Sequence, residues 1–166
     1  MKKILFALAF VLCAASVSAQ GWGLGARIGS GFQAQAEYTF SSNNYLEGRL
    51  GMGWNNPGAN LNADLTLLYQ WNIAQMDWTP DAGTWFFDAG VGVGVGGRNH
   101  FAYVGATGCA KIGIKFSGAP IKLAIDWTPV IGPAIGYANT EVGSANHVEF
   151  HTYGLTNFGL SCVYCF

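Results

Sequence analysis

The segment from Phe158 to Phe166 reads FGLSCVYCF, and every second residue, Phe158, Leu160, Cys162, Tyr164 and Phe166, is apolar. Apolarity with a period of two marks a strand with one greasy face. The last of these residues is also the last of the chain. Termini of soluble domains generally fray, so an ordered apolar strand that reaches the terminal carboxylate needs something to hold it. A closed barrel supplies this, because its final strand pairs with its first and leaves no open edge. If that is the architecture, the same alternation must recur along the chain.

It does recur. Trp22, Leu24, Ala26 and Ile28 alternate with Gly23, Gly25, Arg27 and Gly29, and Phe32 to Phe40 repeats the pattern against Gln33, Gln35, Glu37 and Thr39. Leu46, Leu50, Met52 and Trp54 oppose Glu47 and Arg49, and Leu61 to Trp71 opposes Asn62, Asp64, Thr66 and Gln70. Trp85, Phe87, Ala89, Val91, Val93 and Val95 face away from Asp88 and four glycines. Val104, Ile112, Ile114 and Phe116 oppose Thr107, Lys111 and Lys115, and Ile121, Leu123, Ile125 and Trp127 oppose Lys122 and Asp126. Turn-forming clusters such as Ser41–Asn44, Asn55–Gly58 and Ser117–Pro120 separate these runs. With the closing segment they predict an all-β, eight-stranded antiparallel up-and-down barrel. Asn72–Gly83 reads as a connection and Thr128–His151 as one long outer loop containing Pro129 and Pro133.

Composition bears on the barrel's surroundings. The chain has 166 residues, 51% of them hydrophobic and 10% charged, where a soluble domain carries about 25% charged residues. Beyond the N-terminus no apolar run approaches the roughly 20 residues of a spanning helix, whereas the strands suit the roughly 9 to 11 residues with which a tilted strand crosses a bilayer. Residues 1–19 have the form of an export signal: Lys2-Lys3, an apolar stretch from Ile4 to Ala15, and Val17-Ser18-Ala19 before Gln20. Leu12 is too bulky for Cys13 to be a lipoprotein cysteine. The barrel domain is then 20–166, and its mildly acidic balance argues against a nucleic-acid partner. Cys109, Cys162 and Cys165 lack zinc-ribbon spacing and are read first as packing residues, with a Cys109–Cys165 disulfide as the lesser alternative.

The charges choose between barrel types. Arg27, Glu37, Glu47, Arg49, Asp64, Asp88, Lys111, Lys115, Lys122 and Asp126 all fall on the polar faces of predicted strands, five of each sign, and no charge sits on an apolar face. Periodicity does not say which face points inward. A narrow interior must pair its charges, however, and this set balances. Aromatic residues at strand ends (Trp22, Phe40, Trp54, Trp71, Trp85, Phe116, Trp127 and Phe166) suit interfacial girdles. The expectation is an outer-membrane barrel whose ten charges form a network across the lumen. An even strand number puts both termini in the periplasm, so the Thr128–His151 loop would face outward.

The stretch GATGCAKIGIKFSGAPIKLAIDWTP, Gly105 to Pro129, followed by GLSCVYCF, resembles the small outer-membrane β-barrel proteins of Bacteroidetes. In these a Gly-rich strand, a proline turn, a strand ending in Asp-Trp-x-Pro and a closing aromatic strand recur. Leu68-Tyr69-Gln70-Trp71 and Phe87 to Gly97 fit the same pattern. The alternation ending in Phe166 is also similar to the C-terminal signal read by the barrel-assembly machinery of Gram-negative bacteria, with Ser161 where that signal often has Gly. The resemblance implies a porin-like or OmpA-like barrel in the outer membrane, with membrane lipids and the assembly machinery as partners. It carries over no catalytic residue.

Other candidate chemistry is sparse. Gly90, Gly92, Gly94 and Gly96 lie in a strand pattern without a Lys-Ser/Thr or a following helix, so they are not a phosphate loop. They are expected to make room for side chains from the opposite wall. His147, Glu149 and His151 alternate, which would let two imidazoles and a carboxylate share one face as a metal or acid–base site. A polar strand extension is the preferred reading, and no cofactor is expected. Eight strands enclose an interior that side chains can fill. The predicted role is therefore structural or interaction-based, with a closed lumen and no enzymatic activity. A narrow porin is the alternative, and a lipid-modifying enzyme using His147, Glu149 or His151 is a more distant one.

Overall fold

The computed structural model describes residues 21–53, 63–98, 101–137, 146–153 and 155–166, and it has strands and no helix among them. The segment 1–19, Trp54 and the Asn55–Gly58 turn lie outside the described residues. The strands are β1 (Trp22–Ile28), β2 (Gly31–Ser41), β3 (Asn44–Gly53), β4 (Ala63–Thr79), β5 (Gly83–Arg98), β6 (Phe101–Phe116), β7 (Ile121–Trp127), β8 (Val130–Tyr137), β9 (Asn146–Tyr153) and β10 (Phe158–Cys165). Neighbours pair antiparallel, and β10 pairs with β1 as well as β7, so the sheet closes. The closing strand is the alternating apolar segment at the end of the chain.

These ten segments build eight rows. The register of β6 runs from Lys115↔Lys122 and Ala110↔Trp127 on β7 into Thr107↔Val130 and Phe101↔Gly136 on β8 without a shift. Thus β7 and β8 are one row, interrupted at Thr128–Pro129, where proline has no N–H for the ladder. Gly108 N–H still donates to Pro129 O at 3.2 Å. The neighbouring row is β9 followed by β10. It advances five residues from Tyr153 to Phe158 while its partner advances three from Val130 to Trp127, and the surplus forms a bulge. Asn157 staples that bulge: its backbone O accepts from Thr128 N–H and its Nδ2 donates to Thr128 O, each at 3.0 Å.

Two expected connections are strands. Instead of looping out, Asn72–Thr79 continues β4 through register shifts at Asn72/Ala74 and Met76/Thr79, and only 80–82 turns. Most of the expected Thr128–His151 loop is β8 and β9. Pro133 suggested a loop, but β6–β8 pairing merely lapses beside it, between Tyr103↔Ala134 and Ala106↔Ile131.

Barrel closure accounts for the uneven strand lengths. Starting at Ile125 and stepping through Leu160, Ile28, Phe32, Met52, Ala63, Gly97 and Ala102, one circuit returns to the same row at Ile135, ten residues further along. An eight-stranded barrel with that stagger has strands tilted by about 40° and an interior about wide enough for side chains to meet across it. Aromatic side chains cluster on the outside near the end that carries Trp22 and Cys165, here called the lower end. Trp22 packs tilted against Tyr38 with ring centroids 4.9 Å apart, Tyr69 likewise against Trp71 at 4.8 Å, and Tyr164 meets Phe166 edge-on at 5.0 Å. Trp127 and Phe158 stack at 6.4 Å nearer the upper end.

Close inward packing makes some glycines obligatory. A Cβ built on Gly113 would lie 2.7 Å from both Phe86 Cζ and Ala124 Cβ, whereas one on Gly108 would meet nothing within 4 Å. Gly113→Val is expected to lower unfolding free energy in urea by about 1 to 3 kcal/mol. Gly108→Val should stay within about 0.5 kcal/mol of the parent. Equal effects of the two would show that the interior is loosely packed.

Candidate functional site: the lumen

Alternation along each strand sends its two faces to opposite environments, and the structure decides which is which. Arg27 and Glu47 are fully buried and Asp126 is 1% exposed, while Leu50 is 63%, Val91 56% and Ile125 56% exposed. The charged face lines the lumen and the apolar face covers the outside. This is the inverse of a barrel that carries its apolar side chains within.

Inside, the charges form an unbroken chain of alternating sign. Arg27 on β1 brings Nη2 within 2.8 Å of Asp126 Oδ1 on β7, and Arg49 Nη1 on β3 reaches the same oxygen at 3.3 Å. Arg49 Nε lies 2.5 Å from Glu47 Oε1. The other oxygen of Glu47, Oε2, receives Lys111 Nζ at 2.6 Å, and Lys111 also reaches Glu37 Oε1 at 3.4 Å. Glu37 Oε2 finally holds Lys122 Nζ at 2.5 Å. The ladder Arg27–Asp126–Arg49–Glu47–Lys111–Glu37–Lys122 thereby ties β1, β2, β3, β6 and β7 together across the interior. A buried unpaired charge would cost several kcal/mol, so each link secures its neighbours.

Neutral polar groups complete it. Arg27 Nη1 donates to Gln33 Oε1 at 3.0 Å, Arg49 Nη1 to Thr128 Oγ1 at 3.0 Å, and Thr128 Oγ1 to Asp126 Oδ1 at 2.9 Å. Gln35 and Gln70 donate their amide nitrogens to Glu37 and Glu47, and both amide oxygens are buried without a partner among the described residues. Of the ten predicted lumen charges, seven are in the ladder. Asp88 points inward but accepts from Tyr45 and Asn72, and Asp64 accepts from Gln33 Nε2. Lys115 departs from the expected network: it is exposed at the lower mouth and has no ion-pair partner among the described residues.

Most inward glycines accommodate a neighbouring strand instead of the expected side chains from across the barrel. Gly94 is an exception, a Cβ there lying 3.3 Å from Val130 on β8, which does not pair with β5. A Cβ on Gly159 would fall 2.5 Å from Arg27 Nε, one on Gly90 2.7 Å from Gln70 Cδ, and one on Gly96 2.5 Å from the Tyr103 hydroxyl. The lumen is so narrow that a side chain finds its space beside its own strand.

Several residues that matter were not singled out. Tyr45, Phe86, Leu68 and Val163 form a small apolar part of the interior. Tyr45 shares the parity of Glu47 and Arg49, a usable signal, whereas nothing local marks Asn157 in the bulge. Cys109, Cys162 and Cys165 are free thiols, so no Cys109–Cys165 bond forms; buried Cys109 Sγ lies 3.8 Å from Arg49 Nη2. His147, Glu149 and His151 occupy alternate positions of β9, opposite Gly136, Ala134 and Gly132, and their side chains lie outside the described residues.

A cavity opens on each side of the ladder. The lower one has a volume of about 610 Å3 and the upper, beside Asp64, Tyr103 and Asn157, about 190 Å3. Comparison with protein-family models, with curated proteins and with solved structures finds no match. Function must therefore be argued from the barrel itself.

Asp126→Ala would leave the buried Arg27 without an ion-pair partner among the described residues and Arg49 with Glu47 alone. It is expected to destabilise the barrel by about 3 to 5 kcal/mol, measured by urea unfolding. Lys115→Ala, outside the ladder, should change stability by less than about 0.5 kcal/mol. A small effect of Asp126→Ala would mean that the ladder carries little of the stability.

Proposed function

We propose that this chain is an integral outer-membrane β-barrel with a closed, charge-paired lumen and a non-enzymatic, structural or interaction role in the envelope. The observation that carries this is the inversion of faces, with Arg27, Glu47 and Asp126 buried and Leu50, Val91 and Ile125 exposed. Water does not stabilise an exterior of that kind, and hydrocarbon does. Supporting it are the aromatic pairs clustered on the outer face, which suit a membrane–water interface. Closure of β10 onto β1 also pairs the first and last strands within the sheet, as a lipid environment demands.

The similarity of Gly105–Pro129 and of the final strand to small Bacteroidetes barrels points the same way. Membrane lipids would then contact the outer face, and the assembly machinery would read the β10 strand ending at Phe166. The closed-lumen part rests on the ladder, which joins strands across the interior and separates the two cavities. A narrow pore for ions or small solutes is the competing role.

Two measurements test this. Leu67 and Val93 are cross-strand neighbours, 52% and 55% exposed on the outer face. Val93→Arg is expected to cost about 2 to 4 kcal/mol in a bilayer if this face meets hydrocarbon, read as loss of the heat-modifiable folded band after refolding into vesicles. A barrel whose outer face meets water would tolerate the same arginine. In planar bilayers the parent protein should show no discrete openings. Steady conductance whose selectivity changes with Lys111→Ala or Asp88→Ala would replace the closed lumen with a conducting one.

A further inference from the structure

The lower cavity lies within the size range that holds small organic ligands. The Lys122–Glu37 end of the ladder lines it, together with Tyr45, Phe86, Asp88 and Lys115. Its charged side chains differ in how fully they are engaged. Asp88 receives Asn72 Nδ2 on Oδ1 at 2.7 Å and the Tyr45 hydroxyl on Oδ2 at 2.6 Å. Glu37 takes Gln35 and Lys111 on Oε1 and Lys122 on Oε2. Each oxygen of both carboxylates is engaged. The ammonium groups keep donors in hand, since Lys122 gives one of its three N–H groups to Glu37 and Lys115 gives none to a described residue.

Register adds a second, independent observation. Lys115 and Lys122 are directly opposed across β6 and β7. Like charges in that position repel; Glu37 offsets the charge of Lys122, and an anion held beside Lys115 would offset the remainder. Beside them, Lys122 Nζ lies over the Tyr45 ring at 4.6 Å and the Phe86 ring at 5.3 Å, so aromatic faces border the cationic spot. The geometry points to the lower cavity as a binding site for a small organic carboxylate, its charge between Lys115 and Lys122 and its apolar body against Phe86 and Tyr45. This site rests on the barrel's interior and holds whether or not its exterior meets lipid.

Cys165 lines the same cavity and is half-buried, which provides a reporter. In a Cys162→Ala background, the refolded full-length barrel domain is treated with anionic sulfonatoethyl or cationic trimethylammonioethyl methanethiosulfonate. The thiolate attacks the sulfenyl sulfur and expels methanesulfinate, forming a mixed disulfide, and the rate is read by mass spectrometry. The anionic reagent is expected to react about tenfold faster than the cationic one. Millimolar benzoate should slow it, and benzylammonium should not. Lys115→Gln should remove both the preference and the protection while heat-modifiable mobility is retained, because Lys115 stands outside the ladder. Equal rates, a faster cationic reagent, absence of benzoate protection, or a Cys165 that reacts with neither reagent would each overturn the site.

Discussion

Asp126 holds two guanidinium groups at once, Arg27 at 2.8 Å and Arg49 at 3.3 Å, and much of the interior depends on it. All three side chains are essentially removed from solvent. A charge so placed is tolerable only if its partner is in place, so the strands that deliver these residues are constrained to one mutual arrangement. From Arg49 the constraint passes through Glu47 to Lys111 and on to Glu37 and Lys122. In place of a hydrophobic core, this barrel has a chain of paired charges, with a few apolar side chains such as Leu68 and Val163 filling the gaps.

The walls are shaped to bring those charges together. A stagger of ten residues tilts the strands, and residues distant in sequence, such as Arg27 and Asp126, come within bonding distance in a lumen only a few side chains across. Glycines facing inward keep this possible. Gly159 leaves the space that the Arg27 guanidinium occupies, and Gly90 does the same for Gln70. The bulge at Asn157 has a comparable part: it fastens the Thr128 backbone, and the Thr128 hydroxyl then donates to Asp126.

Much of this was legible in the chain because a strand's period is strictly two. Parity alone sorts Arg27, Glu37, Glu47, Arg49, Lys111 and Asp126 onto one set of faces and Leu50, Val91 and Ile125 onto the other. Parity fails where register slips or proline intervenes. The shifts in β4 made Asn72–Thr79 look like a connection, and Pro133 disguised β8 as a loop, although both segments are strands. Lys115 shows a different failure. Its parity is right, but its place at the mouth leaves it outside the ladder, and height along a barrel axis depends on stagger rather than on alternation.

The sequence by itself determined the all-β class, the two-faced strands, the balance of five positive and five negative inward-type charges, and the closing strand at Phe158–Cys165. These are local properties, set by which residue types alternate and where turn formers interrupt them. The tertiary structure alone decided that the polar face is the inner one, which cation meets which carboxylate, and that Lys115 and Lys122 stand opposed beside an open cavity. Those depend on shear and closure, which bring together residues as distant in sequence as Arg27 and Asp126, 99 positions apart, and no pattern within a single strand encodes them.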